Sequence, residues 1–135
     1  MNELPSERDS KEFNDRRVKP RAPLNDWAAV YLENECFFAE ITDLATGGIA
    51  LLSPFQWMPG RSTFISFSLP GSTHLISTKA VIARCDLRQG KCHWGMTFES
   101  LKPPDLGAIE LFVKTYLSEQ ARKKYQKKDQ IWLMN

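Results

Sequence analysis

The sequence predicts a mainly β protein: a six-stranded antiparallel β-barrel with one C-terminal α-helix and a flexible N-terminal segment. Three observations predict it. Between Trp27 and Phe98 the apolar residues come in short runs broken by Gly, Pro and Asn, and no helical period interrupts them. Thr63 to Leu69 alternates apolar and polar, the period of a half-buried strand. After Pro103-Pro104 the period changes to three and four, which fits one face of a helix. A chain of 135 residues has room for one core and its tails.

The elements follow in order. Residues 1–13 are polar, mixed in charge and offer little to bury, so they read as a flexible segment. Basic residues then concentrate in Arg16, Arg17, Lys19 and Arg21, with Pro20 and Pro23 interleaved. Proline disfavours helix in the residue before it, so this stretch is expected to be extended. Trp27 to Leu32 and Cys36 to Thr42 form a hairpin around Glu33-Asn34-Glu35. Asp43 to Gly48 is expected to be a turn, its paired glycines supplying positive φ, and Ile49 to Leu52 resumes the sheet. Thr63 to Leu69, His74 to Cys85 and Lys91 to Phe98 complete six strands, separated by Pro70-Gly71 and Arg88-Gln89-Gly90. Frequent turns without intervening helices imply an antiparallel barrel or sandwich.

In the last third, Leu106, Ile109, Phe112, Val113, Tyr116 and Leu117 share one helical face. Asp105 is the expected N-cap, and Lys123, Lys124, Lys127 and Lys128 fall where cations suit the helix C-terminus. The chain divides into a flexible segment over 1–13, a barrel-plus-helix domain over 14–120, and a basic helix end with an apolar tail over 121–135.

Composition narrows the function. A net charge of +2 speaks against a nucleic-acid protein that binds by bulk charge. No run approaches the roughly 18 apolar residues of a membrane span, and the N-terminus lacks the apolar core of a signal peptide. Three cysteines argue against a disulfide framework, so a reducing cytoplasm is expected. His74 and His93 stand in no catalytic arrangement, and Cys85, Cys92 and His93 read as structural and not as a metal site. No phosphate-cradling glycine loop is present, and neither catalytic residues nor a cofactor are expected.

Two motifs remain. Arg17 and Arg21, with Arg16 adjacent, present planar cations that match phosphate oxygens and the O6/N7 edge of guanine. Four extended residues span roughly 13 Å, so the two arginines can grip separate parts of one dinucleotide. The bland reading is a solvated basic tail. Asp43-Leu44-Ala45-Thr46-Gly47-Gly48 offers a carboxylate that can accept from the N1–H and N2–H₂ donors of guanine; the bland reading is a plain hairpin. In His93-Trp94-Gly95-Met96-Thr97-Phe98, Trp94 either fills the core or walls a base-binding surface.

Arg-x-x-x-Arg, a strand pair, Asp-x-Ala-x-x-Gly, a late Gly-x-x-Phe strand and a closing helix together resemble the PilZ domain. The resemblance implies a split barrel whose arginine segment folds over one face to enclose cyclic di-GMP. It implies ligand-binding roles for Arg16, Arg17, Arg21, Asp43, Ala45, Gly47, Gly48 and Trp94. Arginine at position 16 leans toward a stacked pair of ligands. The family's serine is replaced by Ala45, which removes one hydroxyl contact worth about 0.5–1.5 kcal/mol. The implied protein is a cytoplasmic receptor or adaptor, not an enzyme, that signals to an unidentified protein effector without nucleic acid or membrane insertion. The alternative is an interaction module that keeps the barrel, has lost the nucleotide and serves as a scaffold.

Overall fold

The computed structural model describes residues 20–134, with side chains described as far as Gln126. The expected flexible segment, Arg16 and Arg17 lie outside the described residues. Six strands follow one another: β1 (Ala22–Leu32), β2 (Glu35–Ala45), β3 (Gly48–Ser53), β4 (Ser62–Ser68), β5 (Leu75–Arg88) and β6 (Lys91–Phe98). They close into an antiparallel barrel in the order β1-β2-β3-β6-β5-β4, the closing pair β1–β4 being matched over Ala29–Tyr31. One helix, α1 (Pro103–Met134), follows.

Alternation builds the core. On β6, Cys92, Trp94, Met96 and Phe98 face inward, and on β4 Thr63, Ile65 and Phe67 do the same. The inner faces of the strands merge into one apolar cluster, which Ile109 and Val113 of α1 join. Turn chemistry matches the hairpins. Gln89 and Gly90 both adopt positive φ, as a two-residue primed turn between β5 and β6 requires.

Three details correct the sequence-based expectation. Asp43, Leu44 and Ala45 belong to strand β2, and the turn is only Thr46-Gly47. The left-handed glycines are Gly60, Gly71 and Gly90; Gly48 is required for a different reason, given below. Asp105 is not the cap of α1, because Pro103 already occupies the first helical position, where its missing N–H costs nothing. Instead Asp105 sits in the first turn, buried, 2.6 Å from Nε2 of His74.

The helix also runs further than its packing. Its 32 residues span about 48 Å, yet past Gln120 every described side chain is exposed. It continues beyond the lysines, so Lys123 to Lys128 do not form the last turn, which holds no basic residue. None of the described helices is long and apolar enough to cross a membrane.

Candidate functional site

The outer face of the sheet carries a cleft of about 290 Å³ where β2, β3, β6 and β5 run side by side. Strand register decides what lines it. Asp43 pairs with Ala50, Ala50 with Gly95, and Gly95 with Arg84, so these four residues form one row across four strands. Charge stands at both ends of the row and the two inner positions are small. A second row, Ala45, Gly48 and Thr97, runs beside it toward the β2–β3 turn. The residues between these rows, Leu44, Ile49, Met96 and Ile82, are buried and form the apolar bed beneath.

Two β-bulges place the charged ends. Ile41 pairs with Leu51 and Asp43 with Ala50, so Thr42 is an extra residue in β2. Its hydroxyl donates to the carbonyl of Ala50 at 3.2 Å, which occupies a group the bulge would otherwise strand. Likewise Ile82 pairs with Met96 and Arg84 with Gly95, leaving Ala83 extra in β5. In strict alternation Asp43 and Arg84 would share the inward phase of Ile41 and Ile82. The extra residue in each strand sends them outward instead. A third irregularity, between Pro23 and Asp26 of β1, lies directly across from Asp43.

The floor explains the glycines. A Cβ on Gly48 would sit 2.1 Å from the backbone oxygen of Met96, so no side chain fits there. A Cβ on Gly95 would meet the Arg84 guanidinium, with Nη2 at 3.1 Å and Nε at 3.2 Å. The absence of a side chain at position 95 is what lets Arg84 lie over β6.

At the β2 end, Nη1 of Arg21 stands 3.8 Å from Oδ1 of Asp43, with both side chains about a third or more exposed. An ion pair this open and loose adds little stability, so both groups remain available to a ligand.

The sequence-derived residues therefore divide. Arg21, Asp43, Ala45, Gly47 and Gly48 line the one cleft. Arg16 and Arg17 lie outside the described residues. Trp94 realises the core-filling reading: it is 1% exposed, its indole N–H donates to the Phe55 carbonyl at 2.9 Å, and its ring meets Phe37 edge-on at 5.8 Å. The alternation Cys92-Trp94-Met96-Phe98 already carried that signal. Gly95 and Thr97, from the Gly-x-x-Phe strand, line it too, and Arg84 and Ala50 join them although no motif points to either, because only the register across β3, β6 and β5 brings them beside Asp43.

Residues 15–115 match the family described as PilZ domain. No curated protein sequence matches. Among solved structures, the inhibitor of motility MotI/DgrA of Bacillus subtilis superposes with a TM-score of 0.65 at 22% identity, covering 80% of this chain and 53% of that one. YcgR of Escherichia coli, solved in complex with cyclic di-GMP, gives a TM-score of 0.65 at 19% identity over 83% of this chain and 50% of YcgR. The PilZ domain of YcgR with cyclic di-GMP gives 0.57 at 15% identity, covering 83% of this chain and 98% of that domain. At these identities the likeness is one of fold, and the chain spans about half the length of the first two proteins.

Proposed function

Because the chain belongs to the PilZ domain family, we propose that it is a cyclic di-GMP receptor whose ligand seats in the cleft between β2 and β5. The observation that carries the proposal is the convergence of Arg21, Asp43, Ala45, Gly47 and Gly48, drawn from two separate sequence motifs, on that single cleft. Solved relatives bound to cyclic di-GMP support the choice of ligand. The role is one of binding and signalling, with no catalytic step.

The chemistry divides by residue. Asp43 accepts hydrogen bonds only, which suits the N1–H and N2–H₂ donors of a guanine. Arg21 offers charge and a planar fork to phosphate oxygens or to O6 and N7. Gly48 keeps the surface low beside them, so the ligand can approach the backbone. Arg17 precedes Arg21 by four residues, which places its Cα within about 14 Å and so within reach of the same ligand. The ligand's two phosphates draw Arg16 and Arg17 onto the barrel, and the reshaped surface is what a protein effector reads. Arg16 favours a stacked pair of ligands.

Titration calorimetry at low salt tests the proposal. Binding is expected, with two ligands per chain for the stacked pair, and Arg17→Ala and Arg21→Ala should each weaken it at least tenfold. No heat at high micromolar cyclic di-GMP would overturn the receptor reading. One observation favours a second reading. Ala45 lines the cleft where the family's motif has serine, and a barrel that had lost its nucleotide could serve as a scaffold. Partner capture indifferent to cyclic di-GMP and to Arg21→Ala would select that reading.

A further inference from the structure

Arg84 belongs to neither motif, yet it closes the row that Asp43 opens. We infer that Arg84 is a specificity-determining residue whose guanidinium, lying over Gly95 opposite Asp43, frames one guanine base laid over Ala50. The inference rests on the receptor reading and adds a residue to it.

Four observations carry it. The register places Asp43, Ala50, Gly95 and Arg84 in one line, so the outer Cα atoms are about 14 Å apart by three interstrand spacings. The inner positions hold a methyl group and a hydrogen, which leaves a shallow floor between two charged walls. The guanidinium leans inward over Gly95, with Nε and Nη2 at nearly equal distance from the position a Cβ there would take. The Ala83 bulge turns the arginine outward, which strict alternation would have prevented.

The walls are chemically unlike, and guanine is unlike at its two edges in the same sense. Its N1–H and N2–H₂ donate toward a carboxylate, while O6 and N7 accept from a guanidinium fork. Adenine presents an amino donor where guanine has O6, so it would set a donor against Arg84. The row therefore reads the base, and Arg84 reads the edge that distinguishes the two purines. A lysine there would keep the charge and lose the fork.

The test is calorimetry of the full chain with cyclic di-GMP and with its analogue carrying CH in place of N7. Arg84→Ala should weaken cyclic di-GMP at least tenfold, and Arg84→Lys by nearly as much. The analogue should bind the unaltered chain several-fold more weakly than cyclic di-GMP, and that penalty should shrink in Arg84→Ala. Gly95→Ala, which keeps the arginine and displaces its head by a few tenths of an ångström, should also weaken binding. An equal analogue penalty in the unaltered chain and Arg84→Ala, or full affinity in Arg84→Lys, would overturn the inference and leave the receptor standing. No binding by the unaltered chain would overturn both. Circular dichroism of each variant separates lost binding from lost folding.

Discussion

Gly48→Ala places the new methyl group 2.1 Å from the Met96 carbonyl oxygen. Ordinary contact begins near 3.4 Å, so the gap between β3 and β6 must open by about 1.3 Å at that point. The neighbour is backbone within a strand pair and cannot rotate away. Overpacking of this kind costs about 1–3 kcal/mol. Loosening the adjoining ladder, where Gly48 pairs with Thr97, adds about 0.5–1.5 kcal/mol per weakened hydrogen bond. Alanine also restricts the unfolded chain, which offsets about 0.4–1 kcal/mol. The net loss is about 0.5–4 kcal/mol, centred near 2 kcal/mol, and at that centre Tm falls by roughly 6–8 °C for a domain of this size. Gly95→Ala provides the internal control. Its methyl meets a flexible, exposed arginine head at 3.1 Å, so Tm should stay within about 2 °C of the unaltered chain. Thermal unfolding followed by circular dichroism reads both variants. Equal Tm values for Gly48→Ala and Gly95→Ala would refute the argument that close backbone approach dictates glycine at position 48.

Other outcomes follow from the same geometry. Arg21→Ala and Asp43→Asn should leave Tm within about 1 °C, because their ion pair is exposed and loose, while each weakens cyclic di-GMP by about 10- to 150-fold in calorimetry. Ala45→Ser should tighten binding by about two- to twelvefold by restoring one hydroxyl contact; an unchanged affinity would mean the ligand does not approach that wall. Asp105→Ala removes the bond to His74 and a carboxylate from the first turn of α1, so denaturant unfolding should show a loss of about 1–3 kcal/mol with ligand affinity intact. Trp94→Phe removes the bond to the Phe55 carbonyl and should cost about 1–3 kcal/mol of stability, yet bind cyclic di-GMP as the unaltered chain does.

Strand identity was legible because each strand has one wet face. Lys91 to Phe98 alternates without a break, and the sequence placed β6 at the bounds the structure shows. The helix was legible for the same reason: Ile109 and Val113 repeat at the spacing of its buried face. Leu117 breaks the expectation, since the helix has begun to leave the barrel and that side chain is 40% exposed. What the sequence hid was the consequence of bulges. Thr42-Asp43 and Ala83-Arg84 are consecutive residues that both avoid the core, and in a period-two reading such a pair marks the end of a strand. A period-two reading accordingly makes Asp43 the start of a turn, although β2 continues to Ala45. Arg84 stayed hidden longer. It is one of 18 basic residues, and nothing in its own neighbourhood reveals that Gly95 lies beside it.

Those bulges account for where the cleft is. An antiparallel barrel that obeys strict alternation presents single polar residues separated by inward apolar ones, and its outer face has no preferred spot. Here β1, β2 and β5 each break alternation at the same level of the sheet, beside Pro23, Thr42 and Ala83. Each break turns an adjacent residue outward without removing an inward one, so Ile41, Leu44 and Ile82 stay fully buried beneath the site. The core therefore keeps its packing while the surface above it acquires a carboxylate at one end and guanidinium groups at both. The strands between, β3 and β6, have no bulge along this stretch, and they contribute the small residues. A barrel that only had to fold would gain stability from a β-branched residue at position 95 in place of glycine, where only the flexible Arg84 head stands in the way. Irregular strands carrying charge around regular strands stripped of side chains make sense when that face must receive a flat, anionic partner.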